Sequence, residues 1–203
     1  MTTYAYPTSS HFAPAKQNLL VMYNQVVNTS PLSGDSQVLT RPGSKWGWDI
    51  DLSEVVPSEL SEIEGYLIRF NGRQHLMTIH DFFRPAPRGT CNLSGVTTDG
   101  AVAQFVSTIG LKGCGAAKTL LYGDWVKIGS QLVMSVGDFT ADGTGRMTIE
   151  FRHSLRQAIA DNSACILDKP TSTYTLSESN LEVVRQDSYA QPGPKFRLVE
   201  EFS

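Results

Sequence analysis

Most of the chain reads as short runs in which apolar and polar residues alternate, broken every few residues by Gly, Asn, Asp or Pro. That is the pattern of an all-β protein with one or two helices. One stretch differs. Across 57–70 the apolar residues Leu60, Ile63, Tyr66, Leu67 and Phe70 recur at three- and four-residue steps, which places them on one helical stripe with Glu59, Glu62 and Glu64 turned away. Pro57 or Ser58 can start this helix, acidic residues occupy its first turns, Arg69 lies near its end and Gly72 can supply a left-handed stop. Before it, residues 45–52 put Trp46, Trp48, Ile50 and Leu52 on one face of a strand that must be buried. After it, 75–82 alternate with Leu76, Thr78, His80 and Phe82 on one side and Met77 and Ile79 on the other, so a helix between two strands of a twisted sheet is expected.

Residues 85–90, Pro-Ala-Pro-Arg-Gly-Thr, form a punctuation mark where a domain boundary is expected. Beyond it, strands are predicted over 102–108, 120–128, 131–136, 147–151 and 164–167. A two-residue hairpin is predicted at 128–131 and a longer glycine-bearing turn at 140–145. Five strands in such a span suggest a small Greek-key or OB-like barrel. Residues 171–176, 181–184 and 196–199 read as further strands that return to the first domain.

With 203 residues the chain can build one sizeable domain or two small ones without covalent staples. Charged residues make up 18% of it, below the average of about 25%, which suits a surface partly covered by other subunits. The net charge of -3 and scattered Lys and Arg give no broad positive field, so nucleic acid is not expected as a primary partner. No apolar run approaches the roughly 20 residues of a membrane span, and 1–7 show neither the basic nor the apolar region of a signal peptide. The three cysteines, Cys91, Cys114 and Cys165, are widely spaced and odd in number, so they are read as free thiols in a reducing compartment.

Candidate chemistry is sparse. His80 and Asp81 are adjacent in a strand and so point to opposite faces, which prevents the carboxylate from orienting the imidazole as in a triad. His11, His75 and His153 sit in no catalytic signature, and no Gly-x-Ser-x-Gly or His-Glu-x-x-His occurs. No catalytic residue, cofactor or metal is assigned. The three cysteines would have to converge in space to hold a metal, and buried thiols acting as small hydrophobes are the commoner case. Residues 110–119 end in Ala-Lys-Thr but lack the Gly-Lys pair of a phosphate loop, and are read as a flexible glycine-rich loop. Trp46, Trp48 and Trp125 could stack a sugar or base but read more simply as core.

Residues 30–39 (Ser-Pro-Leu-Ser-Gly-Asp-Ser-Gln-Val-Leu), then 41–46 (Arg-Pro-Gly-Ser-Lys-Trp), then a helix followed by Asn71-Gly72-Arg73 resemble the N-terminal domains of distal tail and minor tail proteins of long-tailed bacteriophages. Residues 121–129, followed by Gly143-Thr144-Gly145-Arg146 and the strand 147–151, resemble the inserted barrel of some of these proteins. The resemblance implies a mainly β fold: a discontinuous β-sandwich with one flanking helix, formed by 1–87 and 171–203, and an OB-like insertion over 88–170. It also implies a non-enzymatic virion protein of the tail tip, assembled in the host cytoplasm. The expected assembly is a homo-oligomeric ring, a hexamer with a trimer as the alternative, that joins the tail tube to the receptor-binding hub and tape-measure proteins and lets DNA pass without specific binding. Some relatives carry an iron-sulfur cluster on four cysteines; this chain has three, so no cofactor is carried over. Ring contacts are expected in two loops, 28–45 and 110–118, through Ser30, Pro31, Leu32, Gly34, Gln37, Arg41, Lys112 and Lys118. A rival reading has the barrel bind host-surface polysaccharide.

Overall fold

The computed structural model describes residues 1–178, 182–186 and 189–202. In chain order its elements are β1 (Thr3–Ala5), β2 (Pro14–Met22), β3 (Gln25–Thr29), β4 (Ser36–Thr40), β5 (Lys45–Leu52), α1 (Pro57–Ile68), β6 (Leu76–Ile79), β7 (Thr97–Thr98), β8 (Thr108–Lys112) and β9 (Thr119–Leu120). They continue with β10 (Trp125–Ile128), β11 (Gln131–Ser135), β12 (Phe139–Thr140), β13 (Met147–Arg152), β14 (Cys165–Ile166), β15 (Ser172–Leu176) and β16 (Lys195–Glu200). The fold is mainly β with one α-helix. It divides into two compact units, one from 1–21, 46–83 and 171 onward, the other from 22–45 and 84–170. Residues 22–45, grouped with the first domain in the sequence reading, cluster with the second unit.

The first unit is built on a six-stranded sheet in the order β1-β6-β15-β16-β5-β2. β1 runs parallel to β6, whereas β6–β15, β15–β16 and β16–β5 are antiparallel. Alternation in β5 buries Trp46, Trp48, Ile50 and Leu52, as the side-chain period of two requires. β16 answers with Phe196, Leu198 and Glu200 buried, and Leu198 lies opposite Trp48. α1 buries Leu60, Ile63 and Leu67, followed by Phe70 just past its end. Its start is set by Pro57 at the first helical position and by Glu59, whose Oε2 accepts the Val56 N–H at 3.1 Å. Left-handed backbone at Asn71 (φ 47°) and Gly72 (φ 66°) ends it. Tyr66 on the helix meets Tyr6, Phe12 and Phe70 edge to face at 6.1, 5.3 and 5.1 Å. The hydroxyls in this cluster bond to main-chain carbonyls, Tyr6 to Phe12 and Tyr66 to Ala5, and burial raises both well above the usual tyrosine range.

One carboxylate ties three strands of this sheet. Glu200 is fully buried; its Oε2 accepts the Trp46 N–H at 3.1 Å and its Oε1 the Ser172 hydroxyl at 2.7 Å.

The second unit contains a six-stranded sheet in the order β14-β10-β11-β13-β8-β7 that curls into a nearly closed barrel. Its two ends meet where Thr97 pairs with Ala164, and the Cys165 N–H donates to the Val96 carbonyl at 2.9 Å. β13 alternates cleanly, sending Met147, Ile149 and Phe151 inward. The hairpin between β10 and β11 is the two-residue kind, with Ile128 opposite Gln131 and Gly129 at φ 60°.

Several predicted elements differ. The strand expected over 102–108 is reduced to one bridge, Val102 to Ile159, because Phe105 takes left-handed backbone at φ 69°; the ladder begins at Thr108 instead. The run 120–128 is split into β9 and β10 by a turn with Gly123 at φ 87°. The stretch 110–118, read as a loop, carries the end of β8 through Lys112. The stretch 28–45, also read as a loop, contains β4 and closes the β3–β4 hairpin. Of the strand expected over 181–184, Leu181 lies outside the described residues and 182–184 have no regular structure.

Replacing Glu200 with Ala strands a buried N–H and a buried hydroxyl together. Urea unfolding is expected to show a loss of about 3 kcal/mol, with Glu200→Gln, which keeps one acceptor, losing about half of that.

Candidate functional site

The β3–β4 hairpin is unusual in having no buried face. Every residue of both strands is exposed. The register pairs Val26 with Leu39 and Val27 with Val38, and neighbouring positions point to opposite sides, so each face of the ribbon carries an apolar cross-strand pair. Val27 and Val38 are 58% and 53% exposed, and Leu32 at the tip is 99% exposed. The tip is nevertheless structured. Ser30 N–H donates to the Asp35 carbonyl at 2.8 Å, Ser30 Oγ accepts from Leu32 and Ser33, and Gly34 takes the positive φ of 75° that the turn needs. At the base, the Arg41 N–H donates to the Asn24 carbonyl at 2.8 Å, and Asn24 Nδ2 donates to the Pro42 carbonyl at 2.8 Å. Arg156 donates to the Ser44 carbonyl at 3.2 Å.

The structure therefore brings six of the expected contact residues onto one ribbon. Ser30, Pro31, Leu32 and Gly34 form its turn, Gln37 faces Asn28 across the ladder, and Arg41 stands at the base. The other two are engaged inside the second unit. Lys112 pairs with Asp161 at 3.0 Å, and Lys118 Nζ donates to Asn92 Oδ1 at 2.7 Å. The sequence hides the hairpin because a ribbon without a buried face shows no core-directed alternation.

The three cysteines share one barrel core. Backbone bonds from Cys91 to Thr119 and from Asn92 to Cys114, both 3.0 Å, hold residues 91–92 against 114–119. The Cys91 thiol is pulled below the usual cysteine range, chiefly by a hydrogen bond from Cys114, with the Lys118 ammonium adding a smaller pull. Cys114 moves the other way for the same reason, well above that range. Burial pushes Cys165 up to about 12. β14 lies beside β10 and the 91–92 segment beside 114–119, so the three thiols act as small apolar members of one core. Among the described residues no group of three or more His, Cys, Asp or Glu is arranged to hold a metal ion.

Nearby, Asp124 is buried and accepts N–H bonds from Arg88, Gly89 and Leu121 at 2.8, 3.1 and 2.8 Å. It fixes the segment leading to Cys91. At Gly89 a Cβ would stand 2.2 Å from the Thr119 carbonyl oxygen, so only glycine lets the chain approach this closely.

Other candidate groups are dispersed. His80 stacks on Phe82 at 4.5 Å while Asp81 accepts the Phe83 N–H at 3.0 Å, so the two serve separate partners. His11 pairs with Glu62 at 3.0 Å, His75 Nδ1 accepts the Thr2 N–H at 3.2 Å, and His153 packs edge to face on Tyr23 at 5.6 Å. Trp46, Trp48 and Trp125 are all buried, which leaves none of these indole faces for a sugar. A cleft of about 580 Å³ in the first unit has two ion pairs in its lining, Arg197 with Asp49 at 2.6 Å and Lys195 with Asp51 at 2.8 Å, and no imidazole or thiol among its described lining residues. No helix among the described residues is long and apolar enough to cross a membrane.

No protein-family model matches this chain, and no curated protein matches it.

The Cys165 thiol gives a pH test. Its folded value of about 12 lies above the ordinary 9.0, so the neutral thiol's contribution to stability is complete below about pH 9 and declines as pH rises towards 12. Urea unfolding followed over that window should show a steeper alkaline loss for the native chain than for Cys165→Ala.

Proposed function

We propose that this chain is a structural subunit of a phage tail tip, forming a hexameric ring that joins the tail tube to the receptor-binding hub. The observation that carries this reading is the β3–β4 hairpin, with apolar pairs exposed on both faces and a structured tip and base. A two-stranded ribbon is marginal in water by itself, and its outer edges offer unpaired backbone groups. In a closed ring each subunit has two neighbours, and a ribbon with two apolar faces suits insertion between subunits. The motifs over 30–46 and 121–129 that resemble distal and minor tail proteins support the same assignment, as does a mainly β chain whose second unit contains a small barrel.

Function in this reading is geometric. The ring encloses a lumen through which DNA passes, and a net charge of -3 avoids the phosphate grip that a basic lining would exert. Tail-tube, hub and tape-measure proteins are its neighbours, the virion tail tip is its location after assembly in the host cytoplasm, and no side chain is given a catalytic step.

The hairpin separates assembly from folding. Because Val27 and Val38 are exposed, Val27→Glu combined with Val38→Glu is expected to change unfolding free energy by no more than about 1 kcal/mol. Light scattering after size exclusion should find the native chain as a ring, alone or with its tail-tube partner, and the double variant as a monomer. A native chain that stays monomeric with that partner, or a double variant that assembles normally, overturns the proposal.

A further inference from the structure

We infer that Cys91 and Cys114 are a redox pair, joined by a disulfide that forms and breaks in the folded protein. Nothing in the tail-tip reading requires this, and it stands on the barrel alone.

Four observations support the pair. First, the Asn92 N–H donates to the Cys114 carbonyl at 3.0 Å and Asn92 Nδ2 to the Gly113 carbonyl at 2.8 Å, so the two segments run at strand-pair spacing beside the thiols. A spacing of about 5 Å is within the Cα separation a disulfide tolerates. Second, both thiols lie in one barrel core, where hydrogen bonding from the Cys114 side favours the Cys91 thiolate. Third, Cys114 stands between Gly113 (φ 82°) and Gly115 (φ 91°), and a Cβ at Gly113 would meet the Gly95 carbonyl oxygen at 2.4 Å. The main chain on either side of Cys114 is thus closely packed, which fixes Cys114 beside the 91–92 segment. Fourth, Cys165 has a bond of its own, with its Sγ donating to the Ser163 carbonyl at 3.7 Å.

Exposure and charge set the order of events. Cys91 is 4% exposed and Cys114 fully buried, and Lys118, held at Asn92, supplies a cation near Cys91. Cys91 is therefore the entry thiol and Cys114 the resolving one. With oxidised glutathione as oxidant, the Cys91 thiolate attacks one sulfur and releases one glutathione thiolate, leaving a mixed disulfide. Cys114 then gives up its proton and attacks the Cys91 sulfur, forming the internal S–S bond and releasing the second glutathione. The two thiol protons end on the two glutathiones, and the two electrons pass from the protein to the oxidant.

The test uses the intact, reduced and folded chain, incubated with oxidised glutathione at about pH 8, where ordinary thiols begin to ionise. After quenching, unfolding and alkylation, peptide mapping without reductant should recover Cys91 and Cys114 in one linked species, lighter by two hydrogens, in most chains. Cys165 should be alkylated, and dithiothreitol should reverse the link. Cys114→Ser should instead trap one glutathione on Cys91, while Cys165→Ser should leave the link intact. Absence of the link in protein that keeps its circular dichroism overturns the inference. A link that involves Cys165, runs only between chains, or forms only in denaturant does so as well.

Discussion

The pairing of neighbouring strands across each excursion of the chain is the constraint on which the rest depends. The chain leaves the first unit for the second twice, and each time it comes back on the adjacent strand: from β2 through 22–45 to β5, and from β6 through 84–170 to β15. Ser172 stands opposite Ile79, and within the second unit the Lys169 N–H donates to the Pro85 carbonyl at 2.6 Å, so the long segment begins and ends at nearly one point. Loop closure is then set by the sheet itself rather than by the length of what is inserted. Glu200 reinforces the arrangement, since its two oxygens reach β5 and β15 from β16.

Within that frame the two units spend their apolar residues differently. The first puts Trp48, Ile50, Leu198 and the α1 stripe into a core of large side chains, while the barrel closes on itself around smaller ones and three thiols. The β3–β4 ribbon spends its valines on neither core. Apolar pairs on both faces of an uncovered hairpin are a cost for an isolated molecule and an asset for an assembling one. This contrast, more than any side-chain chemistry, is why the tail-tip ring is the reading advanced for this chain.

The helix and β5 were legible because each buries one face, and burial writes a period of 3.6 or 2 into the sequence. Leu60, Ile63 and Leu67 on one side and Trp46, Trp48, Ile50 and Leu52 on the other lie where the periodicity put them. The hairpin at 128–131 was legible for a different reason, since Gly129 takes the positive φ that its turn demands. What escaped was local strain and long-range meeting. The left-handed Phe105 that ends the expected 102–108 strand carries no composition signal, and the burial of Cys91, Cys114 and Cys165 in one core depends on strand order. Of the residues named as contacts, those on the ribbon were recognised as exposed turn chemistry but not as strand, while Lys112 and Lys118 looked free in sequence and are bound in structure.

The return of the chain on an adjacent strand also decides how the molecule bears tension. A load that draws the segment 84–170 away from the sheet pulls β6 and β15 in the same direction, because its two attachment points are paired across one antiparallel ladder. The bonds between those two strands then see little relative displacement. Resistance falls on the outer ladders, β1 against β6 and β15 against β16, which slide in shear and must break several hydrogen bonds at once. An insertion tethered this way is held against pulling by ladders other than the one that anchors it.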